Sequence, residues 1–459
     1  MEQGPAKARV HFRSLGCPKN RLDSEVMLGT LALGGYALAE RIEDADVAVV
    51  NTCSFIESAR EESIEAILEV AALREAGRLR GLVVTGCLPQ RYGGELAKEL
   101  PEVDAFIGTG DFPRIAEILD AALAKPGSSG ASRRGVYVEA GRTHLYDDRS
   151  PRLLVGPAHS AYVKIAEGCD RICAFCAIPG IRGRFQSRTL ESLLAEARQL
   201  AAGGTRELNL VAQDSTSWGK DIAAREVGRG ARPRLHELLR ALDAVDGIDW
   251  IRLLYVYPSA VTDDLVEVLA SGRRVLPYVD LPLQHASDAM LRAMRRGTTA
   301  ERQRRLVERL RAAIPELTLR TTLIVGFPGE TDADFEELCT FASESRFDRV
   351  GVFRYSDEEG TAAFELPGKV PKRLARERQR ILVGLLRAIQ AEKQGKLLGR
   401  EVDLLIDFGG RDRARGRMPS QAPEIDGEVV LRGPASTGEL VRARITAVRG
   451  ADLEAARAA

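Results

Sequence analysis

The stretch GCDRICAFCAIPG, residues 168–180, holds three of the seven cysteines of the chain. Cys169, Cys173 and Cys176 are spaced i, i+4, i+7, which would also fit one apolar face of a helix. Glycine and aspartate before the group and a Pro-Gly pair after it instead predict a loop. Structural zinc usually takes four ligands, whereas an iron-sulfur cluster held by three thiolates leaves one iron open. The spacing therefore favours a cluster over zinc.

A second set of cysteines is scattered along the first hundred residues. Cys17, Cys53 and Cys87 lie 36 and 34 residues apart, and each ends an apolar run: SLGC, VVNTC and VVTGC. In a parallel sheet the carboxyl ends of the strands share one edge, so these three thiols should converge. The alternative is three unrelated buried cysteines, since free cysteine packs like a small hydrophobic residue. The shared strand-end position favours convergence, and only Cys339, in FEELCTFAS, is assigned to core packing.

The elements that must position these cysteines fall into a multidomain α/β pattern. Residues 1–125 alternate apolar runs with helical periodicity, which predicts an N-terminal parallel α/β domain. Residues 126–157, with KPGSSGASRRG, are predicted to be a linker. Six strand candidates within 158–390 favour a partial TIM-like (βα) barrel whose first strand leads into the loop of Cys169, where barrel enzymes place their chemistry. Short strands in 391–459 predict a small C-terminal β-barrel.

Composition restricts the protein classes further. The 459 residues are 44% hydrophobic, with 66 Lys plus Arg against 66 Asp plus Glu, so no global field attracts nucleic acid or anionic lipid. We expect neither a secretion signal nor a membrane span, because no long apolar run follows a basic segment. A cytoplasmic location follows from this. In that reducing compartment an odd number of cysteines does not indicate a disulfide framework.

The CxxxCxxC spacing, with Phe175 before the last cysteine, resembles the radical S-adenosylmethionine (SAM) superfamily. This resemblance implies that the open iron is chelated by SAM and that an electron from the cluster yields a deoxyadenosyl radical. It also implies SAM contacts elsewhere. These are Gly203 and Gly204 before the second barrel strand, and the segment TLIVGFPGET, with Thr322, Gly326 and Glu330, beside the adenine. Each glycine also has a plain turn or close-packing explanation.

The three parts together resemble the methylthiotransferases over essentially the whole chain. The resemblance implies a second four-iron, four-sulfur cluster on Cys17, Cys53 and Cys87, and it implies that the tail is a TRAM domain. The segments LGCPKNRLDSE, CAFCAIPGIRGRFQSR and DLPLQHAS resemble the branch that modifies a ribosomal protein. The implied substrate is an aspartate of small-subunit ribosomal protein S twelve. An external electron donor and a sulfur donor are implied as well, without being identified by the sequence.

Three polar residues at strand ends could contact substrate or cofactor. Gln213 and Asp214 end the apolar strand in VAQDS, which favours a functional role because two polar residues close an apolar run. His285, in LPLQHAS, could contact substrate or cap the following helix. A lone histidine more often has the structural role.

Two alternative functions stay open at this point. The first is methylthiolation of a tRNA adenosine, which would call for a basic terminal barrel because phosphate contacts dominate RNA affinity. Residues 391–459 contain 12 Lys plus Arg and 11 Asp plus Glu, so tRNA is not favoured. The second is a non-enzymatic carrier of electrons with two clusters. Such a carrier would need neither six βα units nor glycines around an open cavity.

Overall fold

The computed structural model describes residues 6–124, 135–139, 141, 144–223 and 232–458. Within them the chain forms two six-stranded sheets, a two-stranded sheet and a closed C-terminal barrel. The predicted class, an α/β multidomain protein with a partial barrel and a small terminal β-barrel, is confirmed. Among the described helices none has the length and apolar character needed to span a membrane.

The first sheet carries the amino-terminal cysteines. Its elements are β1 (Arg9–Ser14), α1 (Pro18–Leu33), β2 (Ala37–Ala39), β3 (Val47–Thr52), α2 (Glu57–Glu75), β4 (Gly81–Gly86), α3 (Cys87–Glu99), β5 (Ala105–Ile107), α4 (Ile115–Leu123) and β6 (Gly135–Tyr137). All pairings are parallel, in the order β2-β1-β3-β4-β5-β6. β3 and β4 are buried along their whole length, as expected for a parallel sheet with helices on both faces.

The segment predicted as a linker contributes to packing. β6 lies inside it and pairs with β5, so the first sheet extends beyond the boundary expected at residue 125. Further along, Tyr146 is buried. The Arg152 guanidinium lies 2.7 Å from a Glu25 carboxylate oxygen of α1 and 2.5 Å from a Glu196 oxygen. These buried ion pairs join the segment to the N-terminal domain and to the partial barrel. The small residues of the segment did not predict these contacts.

The second sheet is the frame of the partial barrel. Its six strands are parallel and neighbour one another in chain order. They alternate with helices as the six βα units predicted. The elements are β7 (Ser160–Lys164), β8 (Ala166–Glu167), α5 (Ile178–Arg182), β9 (Gln186–Ser187), α6 (Leu190–Ala202), β10 (Glu207–Val211), α7 (Leu235–Asp243), β11 (Trp250–Leu253), α8 (Asp263–Ser271), β12 (Val275–Asp280), α9 (Asp288–Ala293), α10 (Ala300–Ala313), β13 (Thr318–Val325), α11 (Asp332–Ser345) and β14 (Arg349–Arg354). β8 and β9 form the separate two-stranded sheet beside it.

A long helix, α12 (Lys372–Gly395), leads from the second sheet to the terminal barrel. The barrel is closed in the order β15-β16-β17-β19-β18, so it has no free strand edge. Alternating side chains of its strands fill a small apolar core. The strands are β15 (Glu401–Phe408), β16 (Arg413–Arg417), β17 (Val429–Arg432), β18 (Leu440–Arg449) and β19 (Asp452–Arg457).

The three parts share buried contacts on the concave face of the second sheet. One apolar cluster joins Leu22 and Val26 of α1, Tyr162 and Tyr278 of the second sheet, and Leu405 of β15. The helix-facing side of the same strands packs in a different cluster. The first domain and the terminal barrel therefore cover the face that encloses the interior of the partial barrel.

Buried charges fasten the terminal barrel to the second sheet. The Glu207 carboxylate lies 2.7 Å from Arg417 of β16 and 3.0 Å from Arg252 of β11. Burial alone would raise the pKa of Glu207, but the charges of Arg417 and Arg252 lower it to about 2. Arg417 also lies 2.7 Å from Asp407, which lies 2.9 Å from His159 Nε2. The terminal barrel is thus held by an ion-pair network in which Arg417 bridges two carboxylates, those of Glu207 and Asp407.

Candidate active site

The first set of cysteines lies at the carboxyl edge of the first sheet. Cys17 follows β1 and caps α1, Cys53 directly follows β3, and Cys87 directly follows β4 and begins α3. Because β1, β3 and β4 are neighbours, the sheet brings the three cysteines together. Burial, reinforced by the charges of Cys87 and Cys17, raises the pKa of Cys53 to about 12. Thiols whose charges raise one another's pKa lie close together. Once deprotonated, they can all bind one polynuclear metal centre.

Glycines set the backbone before three of the six cysteines. Gly16, Gly86 and Gly168 have φ values of +87°, +101° and +79°, a region that side chains disfavour. A Cβ at Gly86 would lie 2.6 Å from the carbonyl oxygen of Thr52, and one at Gly168 would lie 2.1 Å from that of Arg184. A side chain at either glycine would displace the cysteine that follows. The Gly-Cys pairs carry this signal in the sequence, but the sequence analysis did not use it.

The second set of cysteines lies on the loop that follows β7 and β8. The Cys169 N–H donates to the Gly183 carbonyl at 3.1 Å, and the Cys176 N–H donates to the Cys173 carbonyl at 3.2 Å. Burial raises the pKa of Cys169 to about 11 and that of Cys176 to about 12, with a further contribution from the charges of the other cysteines. The loop lies at the carboxyl end of the first strand of the partial barrel, where the sequence placed it.

The donor chemistry of both sets fits an iron-sulfur cluster. Among the described residues no three histidine, cysteine or acidic side chains are arranged to share a single metal ion. A cubane cluster instead binds each thiolate to a different iron, so its ligands are spread apart. A guanidinium accompanies each set: Arg182 Nη2 donates to Cys87 Sγ at 3.3 Å, and Arg296 Nη1 donates to Cys173 Sγ at 3.2 Å. Cationic donors of this kind stabilise thiolates.

A buried polar network connects the two sets. Arg182 Nη1 donates to Asp23 at 2.6 Å and Arg182 Nη2 donates to Asn20 Oδ1 at 2.7 Å, so α5, which follows the second-set loop, is bonded to α1. Lys164 Nζ pairs with both Asp23 and Glu167. Burial alone would raise the pKa of Glu167, but the charges of Lys164 and Arg182 hold it well below its usual range. The network spans four elements, α1, β7, β8 and α5, and none of these five residues was predicted from the sequence to have a functional role.

The rim of the second set is basic and aromatic. Arg171 Nε donates to Asp214 at 2.7 Å, and the Arg171 guanidinium lies 3.8 Å from the centre of the Tyr257 ring. The Arg296 guanidinium lies 4.4 Å from the same ring. Asp214 is buried, and its hydrogen bond with Arg171 holds the cysteine loop in place. The structure therefore gives this predicted site residue a positioning role beside the cysteines.

The space between the two sets contains polar groups without protein partners. Lys19 Nζ lies 3.1 Å from the centre of the Tyr255 ring. Burial lowers the pKa of Lys19, and the charges of Cys17, Asp280 and Glu167 oppose this shift. Gln213 Oε1 and Gln284 Oε1 are buried and accept no hydrogen bond from the described residues, whereas Asp280 Oδ1 lies 3.4 Å from Arg320 Nε. Unpaired buried polar atoms are costly, so a cluster of them marks a place for a ligand.

The prediction that Gly203 and Gly204 contact SAM is wrong. Both residues end α6, where the Gly204 N–H donates to the Ala201 carbonyl at 3.0 Å. They precede the amino end of β10, and Glu207 of that strand pairs with Ser160 at the amino end of β7. The cysteine loop follows the opposite, carboxyl end of β7. The glycines serve as a helix stop.

The segment of residues 322–331 begins inside β13 and continues past its carboxyl end, and part of it forms hydrogen bonds with its own backbone. Glu330 accepts hydrogen bonds from the N–H groups of Gly326 and Phe327, the second at 3.1 Å. A Cβ at Gly326 would lie 2.6 Å from the Cβ of Ala375 in α12. Thr322 accepts a hydrogen bond at its carbonyl from the Gln284 N–H at 2.9 Å. Glu330 and Gly326 thus shape the loop.

His285 and Cys339 have structural surroundings. His285 is fully buried, and its Nδ1 accepts a hydrogen bond from the Ser287 N–H at 3.0 Å, at the start of α9. Its Nε2 lies 3.9 Å from Glu330 Oε1. Gln213 Nε2 donates to Glu167 and thereby joins the network between the two sets. Cys339 packs against the apolar core of the second sheet, as the sequence predicted.

Family models match three segments of the chain. Residues 9–108 match the Uncharacterized protein family UPF0004, residues 163–342 match the Radical SAM superfamily, and residues 398–457 match the TRAM domain. The matched segments lie within the first sheet, the second sheet and the terminal barrel. The domain resemblances that the sequence suggested for the barrel and the tail are confirmed.

Relatives align with almost the full chain. The ribosomal protein uS12 methylthiotransferase RimO of Sorangium cellulosum is 50% identical over 450 residues, which is 97% of this chain and 90% of that protein. The protein of the same name from Geobacter sulfurreducens is 48% identical over 96% of each chain. The resemblance to methylthiotransferases is confirmed.

Solved structures support the fold. The radical SAM methyltransferase TsrM from Kitasatospora setae aligns with a TM-score of 0.52 and 17% identity, over 75% of this chain and 74% of that one. The cobalamin-dependent radical SAM enzyme OxsB aligns with a TM-score of 0.51 and 12% identity, over 84% of this chain and 56% of that one. At such identities the likeness extends to the fold alone.

Proposed function

The chain belongs to the family of ribosomal protein uS12 methylthiotransferases, and we propose that it inserts sulfur at the β-carbon of an aspartate of uS12 and methylates it. It is a radical SAM transferase. The observation that carries the proposal is the convergence of two cysteine sets on one buried network, with Arg182 reaching from one set to the other.

The target bond explains why two centres are needed. The β-carbon of an aspartyl residue carries C–H bonds that no side-chain base ionises at neutral pH. Bound SAM and its cluster supply a radical able to remove the hydrogen atom. The carbon must then meet sulfur close by, so a second centre has to face the same space. An electron carrier would not need six βα units, and the family excludes this alternative.

We assign Cys169, Cys173 and Cys176 to the [4Fe-4S] cluster that binds SAM. This set lies on the barrel loop, within the matched radical SAM segment. We assign the other set, at the edge of the first sheet, to an auxiliary [4Fe-4S] cluster that delivers sulfur. Arg182 and Arg296, each donating to one cysteine of a set, would offset the negative charge of the clusters.

We place SAM between the cysteine loop and the segment after β13. Thr322 and the loop that Gly326 and Glu330 shape lie at the same edge of the sheet as the cysteines. Gln213 and Gln284, whose amide oxygens have no partner among the described residues, border this space. Gln213 is held from its other side by Glu167, so its oxygen has a fixed position.

The charges of the terminal barrel favour a substrate that is a protein over tRNA. Arginines on its strands face carboxylates of neighbouring strands: Arg432 lies 2.6 Å from Glu454, and Arg444 lies 2.8 Å from Glu401. Such pairs add little stability but cancel the positive field that phosphates require. The family also favours uS12 over a tRNA adenosine.

We further propose a cytoplasmic location, where ribosomal subunits are found, and dependence on an external electron donor and a sulfur donor. The reaction needs an electron for each SAM cleaved and sulfur for each product. The two cysteine sets would hold the clusters, but they do not supply the electrons or the sulfur.

A competition experiment tests the proposal. Reconstituted enzyme receives SAM, a reductant, a sulfide source, small ribosomal subunits and tRNA, and both products are analysed by mass spectrometry. We expect a methylthio group on an aspartate of uS12 and none on tRNA. A methylthio group on a tRNA adenosine, with uS12 unchanged, would reject the proposed substrate.

A further inference from the structure

Lys19 is a buried cation in the space between the two cysteine sets. It belongs to the CPKN segment at the start of α1, two residues after Cys17, and only 8% of its surface is exposed. Its Nζ lies 3.1 Å from the centre of the Tyr255 ring, which holds the ammonium on one side. Tyr255 itself has a φ of +60°, so the backbone adopts an uncommon conformation to present this ring.

The ammonium lacks an anionic partner in the part of the chain that the structure describes. Lys164, the other buried lysine of the region, pairs with Asp23 and Glu167. The carboxylate of Asp280, which attracts Lys19 from a distance, is engaged by Arg320 at 3.4 Å. A buried charge without a partner is costly, so its retention calls for an anion that arrives with a ligand.

The contacts around Lys19 define its position. Lys19 follows Cys17 by two residues, and its neighbour Asn20 accepts a hydrogen bond from Arg182 at 2.7 Å. The N–H of Tyr255, whose ring lies against Lys19 Nζ, donates to Asp280 at the carboxyl end of β12 at 3.2 Å. A substrate carbon that has to meet both centres must occupy this same space. In aspartate the carboxylate is bonded directly to the β-carbon. A cation that binds the carboxylate therefore also fixes the position of the reacting β-carbon, which is one bond away from the carboxylate.

We propose that Lys19 binds the side-chain carboxylate of the substrate aspartate and so selects aspartate over its uncharged analogue. The inference rests on the proposed function, and it makes Lys19 a residue that determines specificity. Tyr255 supports the ammonium from the side away from the substrate.

The test compares two peptides on the holoenzyme. One peptide spans the target aspartate of uS12, and the other has asparagine at that position. Dissociation constants are measured anaerobically for the wild type and for Lys19→Met, which is one atom shorter, keeps an unbranched side chain and removes the charge. The wild type should bind the aspartate peptide at least about tenfold more tightly, as expected for a charge-assisted contact. Lys19→Met should bind the two peptides within about twofold of each other, and Lys19→Arg should keep part of the preference.

The controls separate a recognition role from a structural one. Lys372→Met removes an exposed lysine that pairs with Glu57, and it should leave the preference unchanged. Iron content and the spectra of both clusters show whether Lys19→Met is folded and loaded; if it is not, Lys19→Gln takes its place. A folded Lys19→Met or Lys19→Gln variant that keeps the wild-type preference would overturn the assignment.

The same samples distinguish the two levels of inference. Wild-type enzyme that methylthiolates uS12 but binds both peptides equally would overturn the role of Lys19 and leave the proposed function intact. Wild-type enzyme that does not modify uS12 would overturn the proposed function, and the role of Lys19 with it.

Discussion

Arg182 Nη2 donates a hydrogen bond to Cys87 Sγ at 3.3 Å, across the boundary between the first two domains. Arg182 belongs to α5, directly after the loop of the second cysteine set, whereas Cys87 belongs to the first set. The same guanidinium bonds Asp23 of α1. One side chain thus couples the geometry of the two centres, which need a fixed relation to each other because they act on one carbon.

Replacing Arg182 by methionine should destabilise the protein and loosen the auxiliary cluster. The change leaves Asp23 and Glu167 buried with Lys164 as their remaining cation, at a cost of about 3 kcal/mol. For a domain of this size the melting temperature should fall by about 5–10 °C. Arg184→Met is the matched control, because Arg184 is exposed on the same segment. Equal melting temperatures for the two variants would contradict the role of the network.

The iron content should follow the two cysteine sets. Anaerobically purified wild type should contain about eight iron atoms per chain, and the triple alanine variant of either set about four. Loss of Cys169, Cys173 and Cys176 should abolish deoxyadenosine formation. Loss of the other set should spare deoxyadenosine and stop sulfur insertion. Equal loss of SAM cleavage in both folded variants would refute this division.

Gly168→Ala should lose the SAM-binding cluster. The substitution puts a Cβ 2.1 Å from the Arg184 carbonyl oxygen at a φ of +79°, so the backbone before Cys169 must move. Gly180→Ala is the matched control in α5, directly after the same loop, because a Cβ there meets no atom within 4 Å. Iron analysis should give about four atoms for the first variant and about eight for the second. About eight iron atoms per chain in Gly168→Ala would show that the positive φ at residue 168 is not needed for cluster binding.

Acid should weaken the attachment of the terminal barrel through Glu207. Its pKa is about 2 in the fold against an ordinary value of 4.5, so the folded state favours the charged form. The resulting stability is complete above pH 4.5 and is lost as the pH falls towards 2. Glu207→Gln, which leaves Arg252 and Arg417 without this carboxylate, should lower the melting temperature at pH 7 and flatten its decline in acid. A decline as steep as in the wild type would exclude Glu207 as its source.

The position of the cysteines was predictable because it depends on local rules. An apolar run followed by cysteine predicts a strand end, and parallel strands share one edge, so Cys17, Cys53 and Cys87 had to converge. Gly203 and Gly204 were misjudged because a glycine pair before a strand also ends a helix. Because they precede β10, they lie at the amino edge of the parallel sheet, opposite the cysteine loop, as the pairing of β7 with β10 shows.

The network could not be predicted, since Asp23, Lys164 and Arg182 come from separate elements. Nothing in their local sequence distinguishes them from exposed charges. Lys19 could not be predicted for a related reason. It was singled out because its buried ammonium has no anionic partner among the described residues, and only the packed structure shows this. Tyr255, on the loop after β11, supplies its platform from a distant part of the chain.

Transfer of deuterium tests the central claim most directly. Small ribosomal subunits are prepared with deuterium at the β-carbon of aspartate and incubated with the reconstituted enzyme, SAM, reductant and sulfide. Deoxyadenosine is then examined for deuterium by mass spectrometry, with the triple alanine variant of Cys169, Cys173 and Cys176 as the control. The account predicts deuterium in the deoxyadenosine made by the wild type and methylthiolated uS12 in the same sample. Methylthiolated uS12 accompanied by unlabelled deoxyadenosine would contradict it.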